Sequence, residues 1–165
     1  MSDLQIVLGG PDRIDDLEPI YRSLYAHHVD VSTWRPGPAR GADVAWSRRR
    51  ARYEKTLSSP AGILLLAERD GRVVGALIGE SEEHPEGSDT FEIPDHVAHV
   101  HDVAVLPDAR GGGVGRALME RFEAEMRARG VVSYGLDVMA GNDAARRFYE
   151  GLGFELADMV FEKRL

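Results

Sequence analysis

Apolar positions change their period several times along the chain, and each change marks an element. Residues 4–8 read as a short strand, stopped by Gly9, Gly10 and Pro11. From 12 to about 29, Leu17, Ile20, Tyr21, Leu24 and Tyr25 recur at helical spacing. Pro36, Gly37 and Pro38 make 32–41 a loop. A second helix follows over 42–58, with Trp46, Tyr53 and Leu57 on its inward side. The period then shortens. Stretches 62–68 and 72–80 are apolar strands separated by Arg69, Asp70 and Gly71, a tight-turn composition that predicts an antiparallel hairpin. The polar, turn-rich stretch 82–94 reads as a mobile loop, and a strand over 96–106 is stopped by Pro107. An amphipathic helix over 113–129 carries Leu118, Phe122 and Met126 at intervals of four and closes at Gly130. A strand over 131–139, a helix over 142–152 and strand-like sequence over 154–163 complete the chain.

The order β-α-α-β-β-β-α-β-α-β predicts a mixed α/β fold. Its central sheet is mostly antiparallel and flanked by helices, with one parallel crossover through the helix at 113–129. With 165 residues, no internal repeat and no low-complexity linker, a single domain over 1–165 is expected.

Composition narrows the chemistry. Cysteine is absent, which excludes disulfides, thiolate zinc sites and a cysteine acyl-enzyme. No apolar run approaches the roughly 20 residues of a membrane span, and the start of the chain lacks a basic segment followed by an apolar one. A cytoplasmic protein without a membrane partner is expected. The net charge of −8 opposes nucleic-acid binding, which relies on phosphate neutralisation, and favours cationic ligands.

The most informative stretch runs from Val103 to Arg116, where a strand passes through glycines directly into a helix. Free N–H groups at the helix start, aided by its dipole, form an anion site. Glycines let the backbone approach phosphate oxygens, and Arg110 and Arg116 add positive charge. A phosphorylated ligand is expected. It is not held by a P-loop, because Gly115-Arg116-Ala117 lacks the lysine and hydroxyl that motif requires. Nor does either reading of G-x-G-x-x-G succeed, since the sixth position is Arg116 or Leu118. Asp137, the tempting ribose ligand of that scheme, then reads as an ordinary strand residue.

Arg110-Gly-Gly-Gly113-Val-Gly115 resembles the Q/R-x-x-G-x-G/A signature of the GNAT superfamily of acyl-CoA-dependent N-acyltransferases. Downstream, the stretch from Asn142 through Phe148 and Tyr149 to Gly153 and Phe154 resembles that family's second signature, and Val103-Ala-Val105-Leu-Pro107 resembles its lead-in strand. The resemblance is strong over 97–154 and looser before it. It implies acetyl-CoA as co-substrate. Backbone N–H groups of Gly111, Gly112, Gly113, Val114, Gly115 and Arg116 would hold the pyrophosphate, beside Arg110. Main-chain groups of Val103 and Val105 would pair with the pantetheine arm, and the Val105 N–H would polarise the acetyl carbonyl. Asn142 would contact the pantetheine, although it also suits the N-cap of the helix that follows. Tyr149 would protonate the departing thiolate, unless its ring merely packs in the core.

The proton acceptor is open at this level. Glu92, His96, His99, His101 and Asp102 cluster before the glycines. Simple alternation puts His99, His101, Val103 and Val105 on one strand face and Asp102 on the other. A bulge, frequent in this strand of the family, would invert that parity, so Asp102 stays a candidate. A metal shared by the histidines and Glu92 is weighed, but none is expected, because the resemblance implies no metal. Arg48, Arg49, Arg50, Arg52 and Lys55 spread around their helix and read as a solvated face, with an anionic part of a substrate or the coenzyme's ribose phosphate as the alternative. Glu80, Glu82, Glu83, Glu86, Asp89, Glu92 and Asp95 either solubilise a loop or attract a cationic small-molecule or peptide amine. The rival to an enzyme is an acyl-CoA-binding module without chemistry, which the presence of both Asn142 and Tyr149 opposes. Strand 159–163 offers pairing across a homodimer, as in some members of the family.

Overall fold

The computed structural model describes residues 3–83, 92 and 94–165. Five strands lie in sequence order in one sheet: β1 (Gln5–Gly9), β2 (Gly62–Arg69), β3 (Arg72–Glu83), β4 (His96–Val105) and β5 (Ser133–Leu136). The first four are antiparallel, and β5 runs parallel to β4. The β2–β3 hairpin turns through Asp70 (φ 52°) and Gly71 (φ 73°), the pair of positive φ values that matches the twist of the flanking strands.

Helices α1 (Glu18–Val31) and α2 (Ala42–Leu57) cover one face; α3 (Val114–Ala128) and α4 (Asp143–Glu150) belong to the other. The helical period that begins at 12 starts as a 3₁₀ segment, Pro11–Leu17, and becomes α-helical where Pro19 occupies the first turn. Phe122, Leu118 and Met119 of α3 pack on Leu65, Leu77 and Val100, while Ile20, Trp46 and Tyr53 pack on Leu64, Leu66 and Ile78. Strands β2 and β3 are thus buried on both sides, which is why they read as continuous apolar runs rather than as alternation.

Two features of β4 position the site. It pairs with β5 only through Val97 to Val100, and from His101 to Val105 no strand among the described residues lies beside it on that side. It also carries a bulge: Gly79 pairs with Val100 and Ile78 with Asp102, leaving His101 as the extra residue. Gly79 is required opposite this bulge. An added Cβ would lie 2.6 Å from the His99 carbonyl oxygen and 3.0 Å from Phe122 Cε2.

Three expectations are corrected. Glu82 and Glu83 belong to β3 rather than to a loop, and 84–91 and 93, with Glu86 and Asp89, lie outside the described residues. The strand expected over 131–139 spans only Ser133–Leu136. No strand forms over 154–163. Phe154 anchors its ring 5.1 Å from that of Tyr134 and 5.5 Å from that of Tyr149. Beyond it Leu156, Met159, Val160 and Phe161 are 70–89% exposed. The arm ends with Arg164 stacked 5.2 Å over Trp34 and donating to the Arg35 carbonyl. A strand needs a ladder partner and one buried face, and the apolar positions 156, 159, 160 and 161 do not alternate to supply that face.

Candidate active site

The sequence between β4 and α3 builds an anion-binding turn. After Pro107–Ala109, the chain passes Arg110 and Gly111 to Gly113, which caps α3 at φ 77°. That left-handed conformation excludes most side chains, and Gly113 brings no capping side chain of its own. The unpaired N–H groups of the first turn therefore remain for a ligand. Exposed Arg110 donates from Nε to the Val105 carbonyl at 3.1 Å, and Arg116 is exposed within the first turn.

Ladder alternation then orients β4. The Leu106 N–H donates to the Val74 carbonyl on β3 at 2.9 Å. Val103 and Val105, offset by odd numbers of residues, therefore turn their main-chain groups away from β3 toward the opening. Their side chains pack on the α3 face.

The bulge decides the opposite face. Of the two alternatives, simple alternation would separate His99 and His101 from Asp102, and the bulged register is the one present. The extra residue at 101 restores His99, His101 and Asp102 to one side, that of α1 and α2, while Val103 and Val105 take the other. His101 Nε2 lies 2.8 Å from Glu80 Oε1, and the His99 ring lies 5.3 Å from that of His101. His99 Nε2 is 3.4 Å from the exposed Asp137, just past β5. Asp102 is engaged otherwise: its Oδ2 accepts from Arg49 Nη1 at 2.7 Å and from the Tyr53 hydroxyl at 2.8 Å. Burial, followed by the Asp102 charge, drives the Tyr53 hydroxyl far above its usual range, so it stays a donor. Burial holds His28 below the usual imidazole range. A hollow lined by Tyr21, Leu24, Tyr53, Asp102 and Ala104 reaches this group.

On α4, Asn142 is the N-cap, its Oδ1 accepting from the Ala145 N–H at 3.2 Å. Tyr149, the penultimate residue of α4, packs against Phe148 and Phe154 at 5.2 and 5.5 Å between ring centroids. Burial, and then the Asp102 charge, pushes its hydroxyl up to about 12. Tyr149 is therefore a phenol at neutral pH, able to donate a proton, and lies within electrostatic reach of Asp102 across the opening.

His96 stands apart at the start of β4, 3.2 Å from Glu83, and Glu92 is exposed before it. No group of three metal-ligating side chains gathers among the described residues. Arg48 and Arg52 are exposed as a solvated face requires, and Arg50 pairs with Asp15 and Glu54. Arg49 is the exception, since it turns inward to Asp102 and lies 5.4 Å over the Tyr21 ring. It stands three residues after Trp46 and four before Tyr53, on the inward stripe of α2, a spacing that distinguishes it from its neighbours.

A family model described as the Acetyltransferase (GNAT) family matches residues 24–154. An acetyltransferase of Sodalis glossinidius is 31% identical over 115 residues, covering 70% of this chain and 72% of the relative. A mycothiol acetyltransferase of Cellulomonas flavigena is 35% identical over 133 residues, 79% of this chain, which spans only 34% of that relative's length. Among solved structures, an aminoglycoside N-acetyltransferase in complex with CoA has the same fold, with a TM-score of 0.73 at 19% identity, covering 100% of this chain and 96% of the other.

Proposed function

The chain belongs to the GNAT family of acetyltransferases and is an acetyl-CoA-dependent acyltransferase, and from that premise we propose that it acetylates a primary amine of a small molecule or peptide by direct attack in a ternary complex. The observation that carries this reading is the β4 bulge beside the sheet opening. It gives one strand two working faces: side chains able to handle the amine on the α1–α2 side, and main-chain donors directed into the gap.

Bound acetyl-CoA supplies a thioester carbonyl and a thiolate leaving group. The N–H groups from Gly111 to Arg116, with Arg110, hold its diphosphate at the start of α3. Val103 pairs with the pantetheine through its main-chain groups, and the Val105 N–H stabilises charge on the carbonyl oxygen, while the Val105 carbonyl accepts from Arg110. Asn142 holds the turn at the foot of α4, and its amide faces the pantetheine. His101, oriented by Glu80, takes the proton from the attacking amine, with His99 beside it as a relay. Asp102 is committed to Arg49 and Tyr53, so its role is to fix that wall of the site rather than to act as the base. Tyr149 donates its proton to the thiolate. With no cysteine in the chain, direct attack is the simpler course.

We read the acceptor as cationic, drawn by Glu80 and the acids near it, and aminoglycoside acetyltransferases among the structural neighbours support that choice. Residues 1–165 form one catalytic unit in this reading. The exposed apolar arm after Phe154 packs against a second copy, which would cover Met159, Val160 and Phe161. No helix among the described residues is long and apolar enough to cross a membrane, and we place the protein in the cytoplasm.

The test is release of coenzyme A thiol from acetyl-CoA across polyamines, aminoglycosides, amino acids and short peptides. Turnover confined to cationic amines is expected. Tight acetyl-CoA binding with no turnover on any amine would instead favour a binding module.

A further inference from the structure

Arg69 ends β2 beside the glycine turn, on the hairpin side of it. A Cβ built on Gly112 would lie 3.4 Å from its Nη2 and 3.9 Å from its Nη1. Its Nε is buried without a hydrogen-bond partner, and among the described residues no carboxylate pairs with its guanidinium. The neighbouring arginine of the hairpin is differently placed, because Arg72 Nη1 donates to Asp108 Oδ2 at 2.7 Å. A guanidinium that is half-buried, with one N–H out of water and unpartnered, gains from an acceptor that draws it toward the turn. The turn it touches is the one whose open N–H groups suit an anion. Arg110, by contrast, has already given its Nε to the Val105 carbonyl.

We propose that Arg69 is a further binding residue for the diphosphate of acetyl-CoA, reaching the anion across Gly112 from the β2–β3 hairpin. This rests on the acetyl-CoA reading given above. The guanidinium supplies charge-assisted donors from the side opposite α4, so the diphosphate is held by the start of α3 and by the hairpin together. Arg69 takes no part in the chemical step, and its contribution appears in affinity for the coenzyme rather than in kcat.

The experiment measures binding of coenzyme A and of 3′-dephospho-coenzyme A by calorimetry, with KM and kcat for acetyl-CoA and for S-acetylpantetheine, which has no diphosphate. The proteins are the wild type, Arg69→Gln and Arg69→Lys. Arg69→Gln should weaken both coenzymes about tenfold, as expected for a charge-assisted contact, leave S-acetylpantetheine kinetics unchanged and keep kcat with acetyl-CoA. Arg69→Lys should recover most of the affinity. The proposal is overturned if Arg69→Gln weakens S-acetylpantetheine equally, which would make Arg69 a brace for the turn. It is also overturned if the loss vanishes with 3′-dephospho-coenzyme A, or if affinity does not change. Failure of the wild type to bind coenzyme A would remove the underlying reading itself, whatever the variants do.

Discussion

Tyr149 and His101 are the residues on which the proposed chemistry turns. The raised hydroxyl of Tyr149 is caused first by burial and then by Asp102, so the group is a proton donor throughout the physiological range. Tyr149→Phe removes the hydroxyl and keeps the ring. It should lower kcat about 10²-fold, within the usual span of general acid catalysis, and leave the affinity for acetyl-CoA near its original value, as read by steady-state kinetics beside calorimetry. His101→Ala should lower kcat by a similar ~10²-fold, and Glu80→Gln by less, because it loosens the imidazole without removing it. Equal activity of His101→Ala and the wild type would move the proton acceptor elsewhere. Most of these residues were legible in the sequence, since chemistry-bearing side chains near a glycine turn are few. The engagement of Asp102 by Arg49 and Tyr53 was not. Those partners are 53 and 49 residues away along the chain, and only packing of α2 on the sheet brings them to 2.7 and 2.8 Å.

At the level of elements, the bulge in β4 matters more than any single side chain. It depends on Gly79, whose missing Cβ lets the His99 carbonyl and the Phe122 ring close over β3. Gly79→Ala should therefore destabilise the protein by roughly 1–3 kcal/mol, the usual range for overpacking. It should also reduce turnover beyond what stability explains, because restoring regular pairing would turn His101 away from Glu80. Chemical denaturation and kcat measured on the folded fraction separate the two effects. The helices and the β2–β3 hairpin were legible because their periods and turn residues are local signals. The bulge was legible only as something the family resemblance implies; its position, with His101 as the extra residue, was not, since an extra residue in one strand is defined only against the partner it fails to match. The short β5 has the same origin: its neighbour diverges after Val100, and a lone edge cannot continue a strand.

For the whole molecule, the gap between β4 and β5 and the arm beyond Phe154 are the defining features. In the proposed dimer, the arm's Met159, Val160 and Phe161 leave water by crossing to another copy. A chain ending at Phe154 should then sediment as a monomer while the full chain sediments as a dimer, and a truncated chain that remains dimeric would dismiss the arm as the contact. The chain's order of elements, its glycine turn and the residue types around it are properties of the sequence by itself, because periodicity, backbone freedom and side-chain chemistry act locally. Which side of β4 each candidate faces, which carboxylate is already paired, and whether the last apolar stretch finds a strand to join were decided only by the tertiary structure. Each of those depends on a partner far away in the chain, and the free energy of a ladder, an ion pair or a buried face belongs to both members.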